Sequence, residues 1–126
     1  FTAGERFEMI EATLAAQGIK KDRYAIIPIR NIRNFSLWAS HVKLLCPSFE
    51  KLYTGSHIVK ELFVKHAPDI KVVDIKFKKK ICATEIRRKI LKGDKSWEKL
   101  VPKEVEKYLK KHKTQARLKD IRLPKK

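Results

Sequence analysis

The chain has 126 residues, 43% of them apolar and 36% charged, with 31 Lys and Arg against 14 Asp and Glu and a net charge of +17. No apolar run approaches the ~20 residues of a membrane-spanning helix, and no basic, apolar, small-residue leader pattern is present, so a cytoplasmic address is expected. Cys46 and Cys82 are too few for a disulfide scaffold and do not stand at metal-ligand spacing, which fits a reducing compartment.

In chain order, Thr2-Ala3-Gly4-Glu5 reads as a capping box. Phe7, Ile10 and Leu14 continue it as a helical stripe to about Gln17, where Gly18 is placed for a left-handed C-cap. Arg23 to Arg30, "RYAIIPIR", is a β-branched apolar run, read as a buried strand that Pro28 ends. After the polar loop "NIRNFS", Ser36 is placed to cap a helix over "LWASHVKLLC", stopped by Pro47. "KLYTG", Lys51 to Gly55, is a short strand; "SHIVKELFVKH" is a helix stopped before Pro68; Ile70 to Phe77 is an alternating strand. The run Lys78-Lys79-Lys80 leads to a helix over Glu85 to Lys92, with Thr84 as its expected N-cap and Gly93 as its stop. Pro102 opens a last helical region, followed by a basic tail. Helices alternating with strands predict an α/β fold with an open parallel sheet, whose ligands sit beyond the carboxyl ends of the strands.

The charge favours polyanionic partners, whether nucleic acid, nucleotides or phosphates, although a merely lysine-rich surface gives the same total. "KKKICATEIRRK" is the most informative stretch. The free amides of a helix N-terminus at Thr84, with Arg87 one turn on and Lys78 to Lys80 approaching from the strand side, suit a polyphosphate. A capped helix with exposed basic residues has the same sequence. In "NIRNFSLW", Trp38 offers a face for a flat ring, and Asn31, Asn34 and Ser36 offer hydrogen bonds; a tryptophan packed in a core has the same spacing.

In order, "FTAGER", "YAIIPI", "NI", "SLW", "YTG", "TEIRR" and "W…LVPK" resemble the archaeal-type nicotinamide mononucleotide adenylyltransferases, from Phe1 to about Ile121. "TEIRR" is similar to the T-x-x-R signature of nucleotidyltransferases. The resemblance implies a Rossmann-like nucleotidyltransferase domain over residues 1–121, lacking its first βαβ unit, and a basic tail over residues 122–126. It also implies a reaction, the joining of nicotinamide mononucleotide to the adenylyl group of ATP with Mg²⁺, giving NAD and pyrophosphate. By position, Arg87 would bind the ATP phosphates with Thr84, Cys82, Ala83 and Lys78 beside it. Gly55 and Ser56 would line the adenosine side, Trp38 would stack on the nicotinamide, and the Asn31–Ile32 backbone would read its carboxamide. A homo-oligomer is expected.

The sequence departs from the family pattern at several of these places. Cys82-Ala83 stand where Ser-Gly is usual, and Ser56-His57 where Asn-Pro is usual. Phe35 occupies a commonly polar place, and Asn31 a commonly acidic one. The family's H-x-G-H motif does not occur in these residues: His41, His57, His66 and His112 are scattered. No catalytic or metal-ligating residue is therefore assigned within the chain, and the resemblance implies that the motif precedes Phe1. The alternative reading is a non-catalytic relative that binds RNA or another polyanion through its basic surface. From Lys103 onward ten basic residues face three acidic ones, but few aromatics are interleaved, so no base-stacking platform is indicated.

Overall fold

The structure, a computed structural model, describes residues 1–122; the expected tail over residues 122–126 lies outside them except for Arg122, which closes the last helix. The described residues form two compact units, one of residues 1–26 with 80 onward, the other of residues 27–79.

The first unit is helical. Helix α1, Ala3–Ala16, begins on the expected capping box: Thr2 Oγ1 accepts from the Glu5 amide at 3.1 Å, and Glu5 Oε1 accepts from the Thr2 amide at 3.2 Å. It ends as a Schellman motif, with Gly18 at φ +76° and the Ile19 amide bonded to Leu14 O at 3.0 Å. Helix α4, Ala83–Lys92, closes the same way through Gly93, at φ +74°. A 3₁₀ segment, Lys95–Leu100, follows; then come α5, Lys103–Lys111, and α6, Thr114–Arg122.

Ile90, Trp97 and Leu109 are the buried centre of this unit, with Met9, Ile86, Val101, Val105 and Leu118 packed on them. Polar ties reach across the same elements. Tyr108 Oη donates to Glu8 at 2.6 Å, which pushes the phenol pKa up to about 12. Arg117 donates to both oxygens of Glu5, at 2.5 and 3.1 Å. Those bonds, with the Thr2 amide, hold the Glu5 carboxyl at a pKa of about 2. The capping glutamate of α1 is thereby also the anchor of α6.

The second unit is a βαβ element with one added helix. Strands β1, Lys51–Thr54, and β2, Lys71–Asp74, pair in parallel, with Lys51 opposite Lys71 and Thr54 opposite Asp74. Helix α3, His57–His66, crosses between them, and α2, Trp38–Leu45, packs on α3. Phe63 of α3 is fully buried among Ala39, Val42, Ala67 and Ile70. Lys60 Nζ reaches Asp74 at 2.6 Å and Lys43 reaches Asp69 at 2.9 Å, pinning the helices to β2 and the turn before it. A small parallel sheet with crossover and flanking helices is the Rossmann-like α/β class the sequence predicts.

Three expectations need correction. The strand over Arg23–Arg30 does not form: Lys21–Arg23 is a 3₁₀ turn, and no ladder follows it. A strand exists only through a partner, and among the described residues β1 and β2 pair only with each other; Pro28 also brings no N–H to a ladder. Thr84 is not the N-cap of α4, because the helix begins at Ala83, two residues earlier than expected, and Cys82 holds that place. Ser36 does not cap α2: Asn34 caps a preceding 3₁₀ turn, Phe35–Leu37, accepting from the Ser36 amide at 3.1 Å and its hydroxyl at 2.6 Å.

Candidate functional site

The phosphate side is assembled at the start of α4. The first amides of a helix have no intrahelical partner, and the first backbone bond here is made by Ile86, to Cys82 O at 3.2 Å. Ala83, Thr84 and Glu85 therefore present their N–H groups at the positive end of the helix dipole. Thr84 sits one place into the helix, and its Oγ1 accepts from Arg87 Nη2 at 3.3 Å. That bond folds the guanidinium back toward the helix start, as a phosphate clamp requires. Cys82 forms no full side-chain cap bond; the Thr84 and Glu85 amides, then the Thr84 hydroxyl, hold its thiol below the ordinary thiol range. Arg87 and Ala83 line a cleft of about 500 Å³. Glu85, the acidic residue of this turn, is engaged by Arg88 and does not neutralise Arg87.

The structure therefore brings Cys82, Ala83, Thr84 and Arg87 into one turn. Lys78 belongs to the other unit, where it is exposed.

In that second unit, Trp38 begins α2. Its ring meets Phe63 edge-on, with centroids 6.0 Å apart and planes at 78°, so part of it is core, the plain alternative for a tryptophan at this spacing. The rest lines a groove of about 130 Å³ with Asn31, Phe35, Ile58, Val59 and Leu62. The ring thus divides between the core and the groove wall. His41 Nε2 lies 2.9 Å from Arg30 O, fixing the loop that carries Asn31 against α2. Ile32, beside Asn31, is half-buried and does not line the groove.

Gly55 and Ser56 follow β1. Ser56 caps α3, accepting from the Val59 amide at 3.4 Å, while its own amide donates to Thr54 Oγ1 at 3.0 Å. A Cβ on Gly55 would lie 2.3 Å from the Phe77 ring, so only glycine fits beneath that ring as placed. Phe77 itself is 69% exposed. Sequence reasoning misses this cover, because residues 55 and 77 meet only through the sheet.

Among the described residues no group of three or more His, Cys, Asp or Glu side chains is placed to hold a metal ion, and no helix is long and apolar enough to cross a membrane. Sequence reasoning also misses Arg6, which lines the cleft of Arg87; its place three residues before core-packed Met9 is the signal that it faces the same side of α1.

No family model matches the chain. Curated relatives do. The chain is 43% identical over 112 residues to a nicotinamide-nucleotide adenylyltransferase of Pyrococcus furiosus, covering 87% of this chain and 58% of that protein. It is 44% identical over 105 residues to that of Methanococcus vannielii, covering 83% and 59%. It is 34% identical over 121 residues to that of Picrophilus torridus, covering 96% and 70%. The chain thus spans between 58% and 70% of the length of these three relatives. With its T-x-x-R turn on α4 and its Rossmann-like βαβ element, the chain belongs to the archaeal-type nicotinamide-nucleotide adenylyltransferase family.

Proposed function

We propose that the protein containing this chain transfers the adenylyl group of ATP to nicotinamide mononucleotide, releasing NAD and pyrophosphate. In this reading a phosphate oxygen of the mononucleotide attacks the α-phosphorus of ATP. The new P–O bond forms as the bond to the β-phosphate breaks, and pyrophosphate leaves with that electron pair. Such a step needs position and charge neutralisation more than covalent help.

The observation that carries the reading is the Arg87–Thr84 clamp at the start of α4, exposed and not neutralised by Glu85. Arg87 and the Ala83–Glu85 amides bind the β- and γ-phosphates, with Thr84 orienting the guanidinium. Cys82 and Ala83 shape the turn, and Lys78 adds long-range attraction. Trp38 stacks on the nicotinamide, with the Asn31–Ile32 backbone reading its carboxamide, and Gly55 and Ser56 line the adenosine side. Mg²⁺ enters as a partner of the ATP phosphates. The histidines of an H-x-G-H motif are supplied by a further segment, so the 126 residues alone are inactive. The complete enzyme works as a homo-oligomer in the cytoplasm.

Two substitutions in the full-length protein test the two sides. Arg87→Ala is expected to raise the KM for ATP and lower kcat, together costing ~10–100-fold in kcat/KM, the range of a lost charge-assisted bond. Trp38→Ala is expected to raise the KM for the mononucleotide and leave that for ATP in place. Unchanged kinetics in both variants would overturn the assignment. Tight RNA binding without NAD synthesis would establish the polyanion-binding alternative instead.

A further inference from the structure

The cleft beside Arg87 holds a second arginine. Arg6, on the first turn of α1, lines the same cleft of about 500 Å³ together with Met9, Ala83, Ile86 and Val101. The core explains how two distant segments meet there. Met9 and Ile86 both pack on the Ile90–Trp97–Leu109 cluster. Arg6 stands three residues before Met9 and Ala83 three before Ile86, so each is one turn nearer the start of its helix. Anchoring the two apolar residues on one core therefore sets Arg6 and the α4 N-terminal turn along one cleft.

The charge balance there is what needs explaining. None of the residues lining the cleft carries a carboxylate. The acidic residues of α1 are committed elsewhere: Glu5 to Arg117 and Thr2, Glu8 to Tyr108, and Glu11 to Lys21. Among the described residues none is paired with Arg6, and the side chain is exposed. Two guanidinium groups on one cleft repel each other, weakly in solvent and more strongly as the cleft is desolvated. A ligand with several adjacent negative charges turns that repulsion into attraction to both, and a guanidinium fork matches phosphate oxygens in pairs. A single carboxylate or monophosphate engages one fork only.

We infer that Arg6 is a second substrate-binding arginine, which shares the polyphosphate of ATP with Arg87 across the α1–α4 cleft. This rests on the phosphate role proposed above for Arg87, and extends the site to α1. Because the Arg6 side chain is exposed and has no hydrogen-bond or ion-pair partner among the described residues, its substitution removes a ligand contact and leaves the core intact.

The test uses the full-length protein and inorganic tripolyphosphate as the probe, with binding measured by calorimetry alongside ATP kinetics and thermal unfolding of each variant. Arg87→Gln and Arg6→Gln are each expected to weaken tripolyphosphate binding about tenfold or more. Arg6→Lys, which keeps the charge and loses the fork, is expected to fall between Arg6→Gln and the natural protein. Arg6→Gln is also expected to raise the KM for ATP by a similar factor, with the KM for the mononucleotide unmoved. Weakening by Arg87→Gln alone, with both Arg6 variants binding normally, overturns the inference and leaves the Arg87 reading standing. No weakening in any variant overturns both. Should Arg6→Gln fail to fold, Arg6→Lys decides: weaker binding supports the shared site, and unchanged binding overturns it.

Discussion

Phe63 is the residue on which the second unit and the groove beside Trp38 both depend, and Phe63→Ala is the perturbation that exposes the dependence. Its side chain is 0% exposed. The ring touches Trp38 edge-on and Phe49 at a tilt, with centroids 6.0 and 6.3 Å away. Truncation to Ala removes the whole ring from between α2, α3 and the sheet, where Ala39 and Ala67 are too small to fill the space. Phe→Ala in a closed core costs ~3–5 kcal/mol, the transfer loss plus the cavity left behind. Against a typical total of ~5–15 kcal/mol, that is about a fifth or more of the stability of a small domain. The assay is urea unfolding followed by far-UV circular dichroism, with Phe63→Leu as the control that keeps much of the volume and is expected to cost below ~1.5 kcal/mol. Because Trp38 loses its edge partner, mononucleotide binding in the full-length protein should weaken in Phe63→Ala and be largely kept in Phe63→Leu. A cost under ~1 kcal/mol for the Ala variant would refute the claim that this ring is the centre of the unit.

Two further predictions concern groups with displaced titration. Glu5 is held at a pKa of about 2, below its ordinary 4.5, so its contribution to stability is present above about pH 4.5 and is lost as pH falls toward 2. Gln also serves at this place in a capping box, so Glu5→Gln should retain the cap, lose the Arg117 ion pair and flatten the acid limb of stability between those values; an acid limb identical to that of the natural chain would count against the pair. Cys82, exposed and with its thiol lowered by the Thr84 and Glu85 amides, should react with iodoacetamide near neutral pH before the half-buried Cys46. Peptide mapping that found Cys46 alkylated first would contradict the α4 geometry.

The features legible in the sequence were those set by local chemistry. The Thr2–Glu5 capping box and the Gly18 and Gly93 stops each need only neighbouring residues, and all form. The α4 start was misplaced by two residues because a cysteine is a poor candidate on capping preference, and Pro102 proves to be the N-cap of α5. The apolar run from Arg23 to Arg30 has strand composition, but pairing is a tertiary fact that composition does not carry. Likewise Arg117 finds Glu5 across 112 positions of sequence, and Phe77 covers Gly55 across the sheet. The residues of the candidate site were named from the sequence; the Thr84–Arg87 bond, the packing of Trp38 on Phe63 and the place of Arg6 needed coordinates.

Adenylyl transfer is tested most directly by product formation in the full-length protein supplied with ATP, nicotinamide mononucleotide and Mg²⁺. NAD and pyrophosphate are expected in equal amounts, with Arg87→Ala reducing both and the 126-residue chain alone forming neither. Absence of NAD from the folded full-length protein, or undiminished synthesis by Arg87→Ala, would contradict it.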